Sequence, residues 1–390
     1  RVEVYAGDPD SIGIELDPSL LAELPSSVSV ARSAGTEREW VEWVSRRSVE
    51  QRPRYRALIL SVSPFWATEL LSATEGRVPV ILDLRDPWAL DGVPEYSSVR
   101  SWKRELKKMR LAIKRASHVV FNTPEALRVA TEKFPEFRTR FSCITNGFDE
   151  EDFDLAERGV SVRAHSSKTE MIRIVHAGTF LTAQYLRSKG LKGRFRRLIR
   201  FSPERIDRKG RSIVPLIEAL ELLLERDQEI ASRVQVDLIG SLDVSSRRLL
   251  DLSCAKSLIT TRGYLNHSDV IRELLSADLL YLHLHGLPPG QKARIVPGKT
   301  YEYLASGTPV IASIPDGDAR DLVSKFPCNR VLSPGDSKEL ADAIWQCVED
   351  PPTRSHYSER VSTLQEYSRV AIASRFSALA SNLDSSTLTI

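Results

Sequence analysis

The chain is poor in cysteine, with four in 390 residues: Cys143, Cys254, Cys328 and Cys347. They are widely scattered, form no Cys-x-x-Cys pair and have no histidine at ligand spacing, which argues against a structural zinc site. A reducing, cytoplasmic compartment is the simplest inference. No apolar run approaches the roughly 20 residues needed to span a bilayer, and no signal peptide is visible. Charge of one sign is also scarce. The 55 Lys and Arg nearly balance the 52 Asp and Glu, and a net charge of +3 implies no nucleic-acid partner. The chain starts on Arg1 rather than Met, and its opening, Val2-Glu3-Val4-Tyr5, reads as a strand in mid-domain.

What is present is an alternation. The length exceeds one ordinary core and fits two α/β domains, and 27% charged with 42% hydrophobic residues reads as globular. Ala57–Ser63, Val78–Leu84, Val119–Phe121 and Phe141–Thr145 read as buried strands. Ser63-Pro64 and Thr123-Pro124 each supply an N-cap with proline at the first helical position. The rhythm resumes at Ile172–Ala177, Val234–Ile239, Leu258–Thr261, Leu279–Leu284 and Val310–Ser313. Parallel sheets in two Rossmann-like domains are expected, with a central cleft outside the carboxyl ends of their strands. The expected division is an N-terminal domain over 1–150, a linker over 151–170, a C-terminal domain over 171–356 and C-terminal helices over 357–390.

Charge is uneven locally. Between Arg187 and Arg211 there are eleven Lys or Arg against Glu204 and Asp207, and a second basic run spans Arg100–Arg115. The most informative stretch is Pro297–Ser313, PGKTYEYLASGTPVIAS. Lys299 and Glu302 stand in the first turn of a predicted helix whose apolar part is Tyr301, Tyr303 and Leu304. Ser306-Gly307-Thr308-Pro309 stops it, and a strand follows. Free N–H groups, a cation and a carboxylate at one helix start suit a ligand with phosphates and hydroxyls. An ordinary helix with a dipole-compensating Glu302 is the plainer alternative.

This stretch resembles the nucleotide-sugar signature of the family 4 (group 1) glycosyltransferases, retaining enzymes of the two-domain GT-B fold. Five further segments resemble the same family in the same order. They are VPVILDLRDPW (Val78–Trp88), ITNGFDEEDF (Ile144–Phe153), RIVHAGT (Arg173–Thr179), GRSIVPLIEAL (Gly210–Leu220) and GYLNHSDVIRELLSADLLYL (Gly263–Leu282). The resemblance implies that Glu302 grips the ribose hydroxyls and that Lys299 and Arg211 are the cations for the diphosphate, with Lys209 a neighbouring candidate. Gly178, Thr179 and Gly210 would meet the phosphates. Gly263, Tyr264 and Leu265 would frame the base, and Pro297, Gly298 and Thr300 would complete the donor pocket. It also implies that the last helix returns to the first domain through Phe376, Leu379 and Leu383.

Arg85 and Asp86 follow a strand end on the acceptor side. Asp86 is a candidate to orient an acceptor hydroxyl or take its proton, and Arg85 to bind a phosphate; a structural Arg–Asp pair is the open alternative. His176 reads as core and His267 as surface structure behind the turn at Asn266. Asp316-Gly317-Asp318 reads as a turn with a helix cap rather than a metal motif. Asn146-Gly147 reads as a hinge or a plain turn. Two departures stand out. Arg294 occupies the place, eight residues before Glu302, where the family often has a second glutamate toward the donor sugar. The family's opening strand and glycine-rich loop have no counterpart before Arg1.

The resulting reading is a metal-independent retaining sugar transferase with a nucleotide-diphospho-sugar as co-substrate and no cofactor. Its acceptor is a glycan or lipid-linked intermediate of cell-surface polysaccharide assembly. A nucleotide-sugar epimerase of the same fold and a non-catalytic GT-B scaffold are the alternatives. The basic segments 184–208 and 100–115, interleaved with apolar residues, are candidates for contact with an anionic membrane surface at the inner face of the cytoplasmic membrane.

Overall fold

The computed structural model describes residues 2–7, 24–33, 35–50, 55–62, 64–157, 171–190, 200–354 and 357–386. Ser63, the predicted linker beyond residue 157 and the core of the basic insertion (191–199) lie outside them. The chain divides into two compact units, one of 1–91, 100–145 and 372–390, the other of 92–99 and 146–371.

The first unit carries strands β1 (Val2–Gly7) and β2 (Val28–Ser33), which form a parallel pair of their own. The residues after Gly7, up to 23, are outside the described set. A four-stranded sheet follows, with β3 (Leu58–Ser61), β4 (Val80–Leu84), β5 (His118–Phe121) and β6 (Phe141–Cys143) in sequential order. All its pairs are parallel, so each connection crosses over through helical turns. Helix Pro124–Lys133 starts where Thr123-Pro124 predicts, with the Thr123 hydroxyl accepting from the Ala126 N–H at 3.1 Å.

Pleating sends alternate side chains of β4 to opposite faces. Val80, Leu82 and Leu84 enter a core with Val44, Leu70, Met109 and Ile113. Ile81, with Val120 and Ile144, meets Ile372, Phe376, Leu379 and Leu383 from the last helix, Arg369–Ser386. Burial on both faces explains why these strands read as continuous apolar runs.

The second unit holds a six-stranded parallel sheet. Its strands are β7 (Ile172–Ala177), β8 (Val234–Ile239), β9 (Ile259–Gly263), β10 (Leu279–His283), β11 (Val310–Ser313) and β12 (Arg330–Leu332). Their order is β12-β11-β10-β7-β8-β9. The chain winds outward from β7 through β9, returns to β10 on the other side of β7, and winds outward again. Crossovers leave in opposite directions from β7 and β10, so their carboxyl ends form the switch point where such sheets take ligands.

Leu279 and Tyr281 of β10 pack with Leu216, Leu220 and Ile344 on one face, while Leu280 and Leu282 pack with Ile271, Leu274, Tyr301 and Leu304 on the other. Two strands escape the sequence pattern. β12 is three residues long with a half-buried arginine, and β2 carries exposed Val30. The start of the expected linker is a helix, Glu150–Glu157, whose acidic first turn complements the helix dipole.

Candidate functional site

Three glycines mark the carboxyl edge of the second sheet. Gly178 (φ 128°) follows β7, Gly240 (φ 115°) follows β8, and Gly263 (φ 71°) ends β9. A Cβ on Gly240 would stand 2.7 Å from the Gly178 carbonyl oxygen, so the two turns pack backbone to backbone. Gly240 carries no charge and no motif of its own, and the sequence reading passed over it. Gly178 and Thr179 are exposed at this edge, and Tyr264, just beyond Gly263, is 60% exposed. Leu265 packs against the core beneath.

The signature helix runs Gly298–Ser306 and ends on Gly307 in the left-handed conformation (φ 70°), as the Ser-Gly-Thr-Pro stop predicts. Tyr301, Tyr303 and Leu304 are buried. Pro297 is the residue before the helix, and no side chain caps it. Its first-turn N–H groups therefore add positive potential to that of Lys299. Thr300 is fully buried, and its hydroxyl has no hydrogen-bond partner among the described residues.

Two side chains of this helix grip one residue of β7. Lys299 Nζ donates to the Ala177 carbonyl at 3.1 Å, and the Ala177 N–H donates to Tyr303 Oη at 2.7 Å. The Lys299 ammonium thereby lies beside Gly178, 3.0 Å from where a Cβ would sit. Burial and the nearby Arg211 guanidinium pull its pKa down to about 7, against an upward pull from Glu302. Arg211 comes from a tight turn, Lys209–Arg211. Its middle residue must be glycine, since a Cβ on Gly210 would stand 2.2 Å from the Leu284 carbonyl. The neighbouring candidate Lys209 turns away, to Glu218 Oε2 at 2.7 Å.

Beneath these cations lies a histidine cluster that the sequence reading did not assemble. His176 of β7 is fully buried, as expected, and lies 4.8 Å from His283 of β10, ring centre to ring centre. Phe180 stacks on His283 at 4.6 Å. Each Nδ1 meets a carbonyl, His176 that of Tyr281 at 2.9 Å and His283 that of Gly210 at 3.0 Å. These contacts fix the Nδ1–H tautomer and leave both Nε2 atoms without a partner among the described residues. Burial first, and then neighbouring positive charge, holds both pKa values well below the ordinary imidazole value. His285, two residues on, falls to about 4 by burial and by Arg211 and Arg208. The cluster thus stays neutral under the lysine and offers it no counter-charge. A signal was available in the alternation His283-Leu284-His285 at a strand end before a Gly/Pro loop.

Glu302 is half-buried and makes no hydrogen bond or ion pair among the described residues. Burial raises its pKa; His267, Arg369 and Lys299 oppose the shift and Asp152 adds to it. His267 corrects the expectation of plain surface structure. Asn266 does cap its helix, but the ring is half-buried and lies 2.9 Å from Asp152 Oδ2 through Nε2. That bond raises its pKa, with Glu302 contributing.

Arg294 forms an ion pair with Glu204, with only 20% and 10% of the two side chains exposed. The segment carrying Glu204 is stitched in place. Phe201 and Tyr96 exchange backbone hydrogen bonds at 2.7 and 2.9 Å, Arg208 reaches Glu95 at 3.1 Å, and Asp207 and Gly286 exchange bonds at 2.9 and 2.8 Å. Arg208 and Phe201 are therefore structural and unavailable to a membrane, and Tyr185 is core. Asp316 pairs with Arg320 at 3.3 Å, and Asp318 opens helix Asp318–Val323 without a side-chain cap.

In the first unit, Arg85 bonds Asp83 at 2.8 Å, two residues back on the buried end of β4, and not Asp86. Asp86 is exposed. Trp88 has φ 49°, the single positive-φ residue other than glycine among the described residues, and stacks on Phe65 at 4.7 Å. The RDPW turn is therefore held in a conformation that costs about 1–3 kcal/mol and persists through packing.

Arg211, Lys299, Glu302 and the three glycine turns thus gather on one unit at the carboxyl edge of one sheet. The chain as a whole has the GT-B fold. Anabaena HepE in complex with UDP and glucose superposes with a TM-score of 0.60 at 17% identity, over 98% of this chain and 100% of that one. Sucrose-phosphate synthase from Thermosynechococcus elongatus gives 0.60 at 16%, over 93% and 85%. A UDP-forming trehalose-phosphate synthase from Burkholderia xenovorans gives 0.60 at 11%, over 98% and 99%. No curated protein matches in sequence. Residues 208–350 match the family described as glycosyl transferases group 1. That segment holds Arg211, Lys299 and Glu302.

Proposed function

We propose that the protein is a retaining glycosyltransferase whose donor is a nucleotide-diphospho-sugar and whose acceptor is a glycan or lipid-linked intermediate of surface-polysaccharide synthesis. The observation that carries the reading is the grouping of Lys299, Arg211 and Glu302, whose carboxylate is unbonded among the described residues, around the switch point of the second sheet. A diphosphate over Gly178 would meet Lys299, Arg211 and the first-turn N–H groups of the signature helix. The ribose diol would donate to Glu302, with Tyr264 and Leu265 beside the base.

In the reaction, the bond from the sugar's anomeric carbon to the leaving phosphate oxygen breaks as the acceptor oxygen bonds that carbon on the same face. The electron pair stays with the diphosphate, where Lys299 and Arg211 stabilise the growing charge. The acceptor proton passes to a base, for which exposed Asp86 is the candidate, while Arg85 orients acceptor or phosphate. No step requires a metal or a cofactor.

Membrane attachment is the finer part of the proposal and rests on helix Val99–Arg115. Its apolar face cannot insert, because Met109, Ala112 and Ile113 are core. The opposite face presents Arg100, Lys103, Arg104, Lys107 and Lys114, all exposed, around a 45%-exposed Leu111. That face suits the anionic inner surface of the cytoplasmic membrane. No helix among the described residues is long and apolar enough to cross it.

A hydrolysis screen over UDP-, GDP- and ADP-sugars tests the catalytic reading, with UDP, the nucleotide bound in the HepE structure, first. Turnover of one donor, lost in Glu302→Ala, supports it. Undiminished turnover in Glu302→Ala would overturn it.

A further inference from the structure

Glu302 stands where helix starts converge. Helices Glu150–Glu157, His267–Ser276 and Gly298–Ser306 share one apolar cluster through Phe153, Ile271, Leu274, Tyr301 and Leu304. Asp152 is the third residue of its helix, His267 the first and Glu302 the fifth. Arg369 joins them from the next segment, where its N–H donates to the Phe148 carbonyl at 2.9 Å.

A cation at the first position of a helix opposes the helix dipole. A protonated His267 there needs a counter-charge, and Asp152 supplies it at 2.9 Å. The groups that act on Glu302 are His267, Arg369, Lys299 and Asp152. Those that act on His267 are Asp152, Glu302 and Arg369.

We propose that His267 and Asp152 are positioning residues for Glu302: the imidazolium, anchored by Asp152, keeps the half-buried Glu302 side chain as the carboxylate that ribose hydroxyls require. Neither residue touches the nucleotide, and the inference rests on the assignment of Glu302 to the ribose. A protonated Glu302 has one oxygen committed as a donor and no longer offers each hydroxyl a charged acceptor oxygen of its own. Removing the adjacent cation makes protonation easier, so nucleotide affinity fails at a higher pH. A packing role would weaken binding equally at every pH.

The test is isothermal titration of the full chain with UDP between about pH 5.5 and pH 8. His267→Gln should lose about threefold or more affinity at the acid end beyond any loss at the alkaline end, and His267→Lys, which keeps the cation, should restore the wild-type profile. In parallel, an NMR titration of the His267 ring should show a lower midpoint in Glu302→Gln, because the coupling is reciprocal. This second measurement stands even where His267→Gln folds poorly. A pH-independent loss in His267→Gln, no rescue by lysine, or an unmoved His267 midpoint overturns the inference. Wild-type UDP affinity in Glu302→Gln would instead sink the ribose assignment itself.

Discussion

Lys299 and Ala177 share a single hydrogen bond, 3.1 Å from the ammonium to the carbonyl, and it places a buried cation at the end of β7. The neutral histidines below give that cation no compensation, and Arg211 repels it. With its pKa near 7, the lysine is mostly neutral in the empty site at about pH 8. An arriving diphosphate favours the charged form, so binding takes up a proton above pH 7 and none well below it. UDP affinity should therefore fall as pH rises past 7, by up to about tenfold per unit until the pKa of the complex is reached. Calorimetry in two buffers of different ionisation enthalpy reads the uptake directly, and equal heats at pH 8 would contradict it.

Removing the lysine should cost catalysis more than folding. Lys299→Ala is expected to lower kcat by about 100-fold or more, the usual loss of one preorganised charge at a developing anion. Its melting temperature should not fall, because the substitution removes a desolvated cation. Single-turnover rates and thermal melts measure the two effects separately.

Glu302→Gln should weaken UDP binding by about 10- to 150-fold, the equivalent of a charged hydrogen-bonded contact of about 1.5–3 kcal/mol. Calorimetry at neutral pH provides the number. A loss under about threefold would place the ribose elsewhere.

Arg294→Ala takes the guanidinium away from a largely buried Glu204 carboxylate, and should destabilise the second unit by about 3 kcal/mol. The Arg294→Ala, Glu204→Ala double variant should recover much of that loss. Urea unfolding of the four members of the cycle reports the coupling, and additive losses would show that the pair is incidental.

Flotation with anionic liposomes tests the basic helix. Binding at low salt should vanish in a Lys103→Glu, Lys107→Glu, Lys114→Glu variant, since each basic residue near such a surface contributes about 1 kcal/mol. Wild-type failure to float at low salt discards the membrane reading.

Much of the second sheet was legible because its strands are buried on both faces and stand out as apolar runs between helix signals. The stop of the signature helix at Gly307 was equally plain, being local turn chemistry. β2 and β12 were not legible, because a short or half-exposed strand leaves no such run. Among site residues, Lys299 and Glu302 share one helical turn and could be read together. The partners of Arg85 and Arg294 depended on side-chain reach, and neither Asp83 nor Glu204 carries a signal of pairing.

By itself, then, the sequence determined the βαβ rhythm, the signature helix and the charged residues it presents, since these follow from periodicity and from turn residues a few positions apart. Only the tertiary structure decided that His176 and His283 lie together near Lys299, that Asp152 and His267 flank Glu302, and that Glu204 pairs with Arg294. Of those relationships, Glu204 with Arg294, His176 with Lys299 and Asp152 with Glu302 join residues 90, 123 and 150 positions apart. Their charge states follow from burial and neighbours, which exist only once the sheets are assembled.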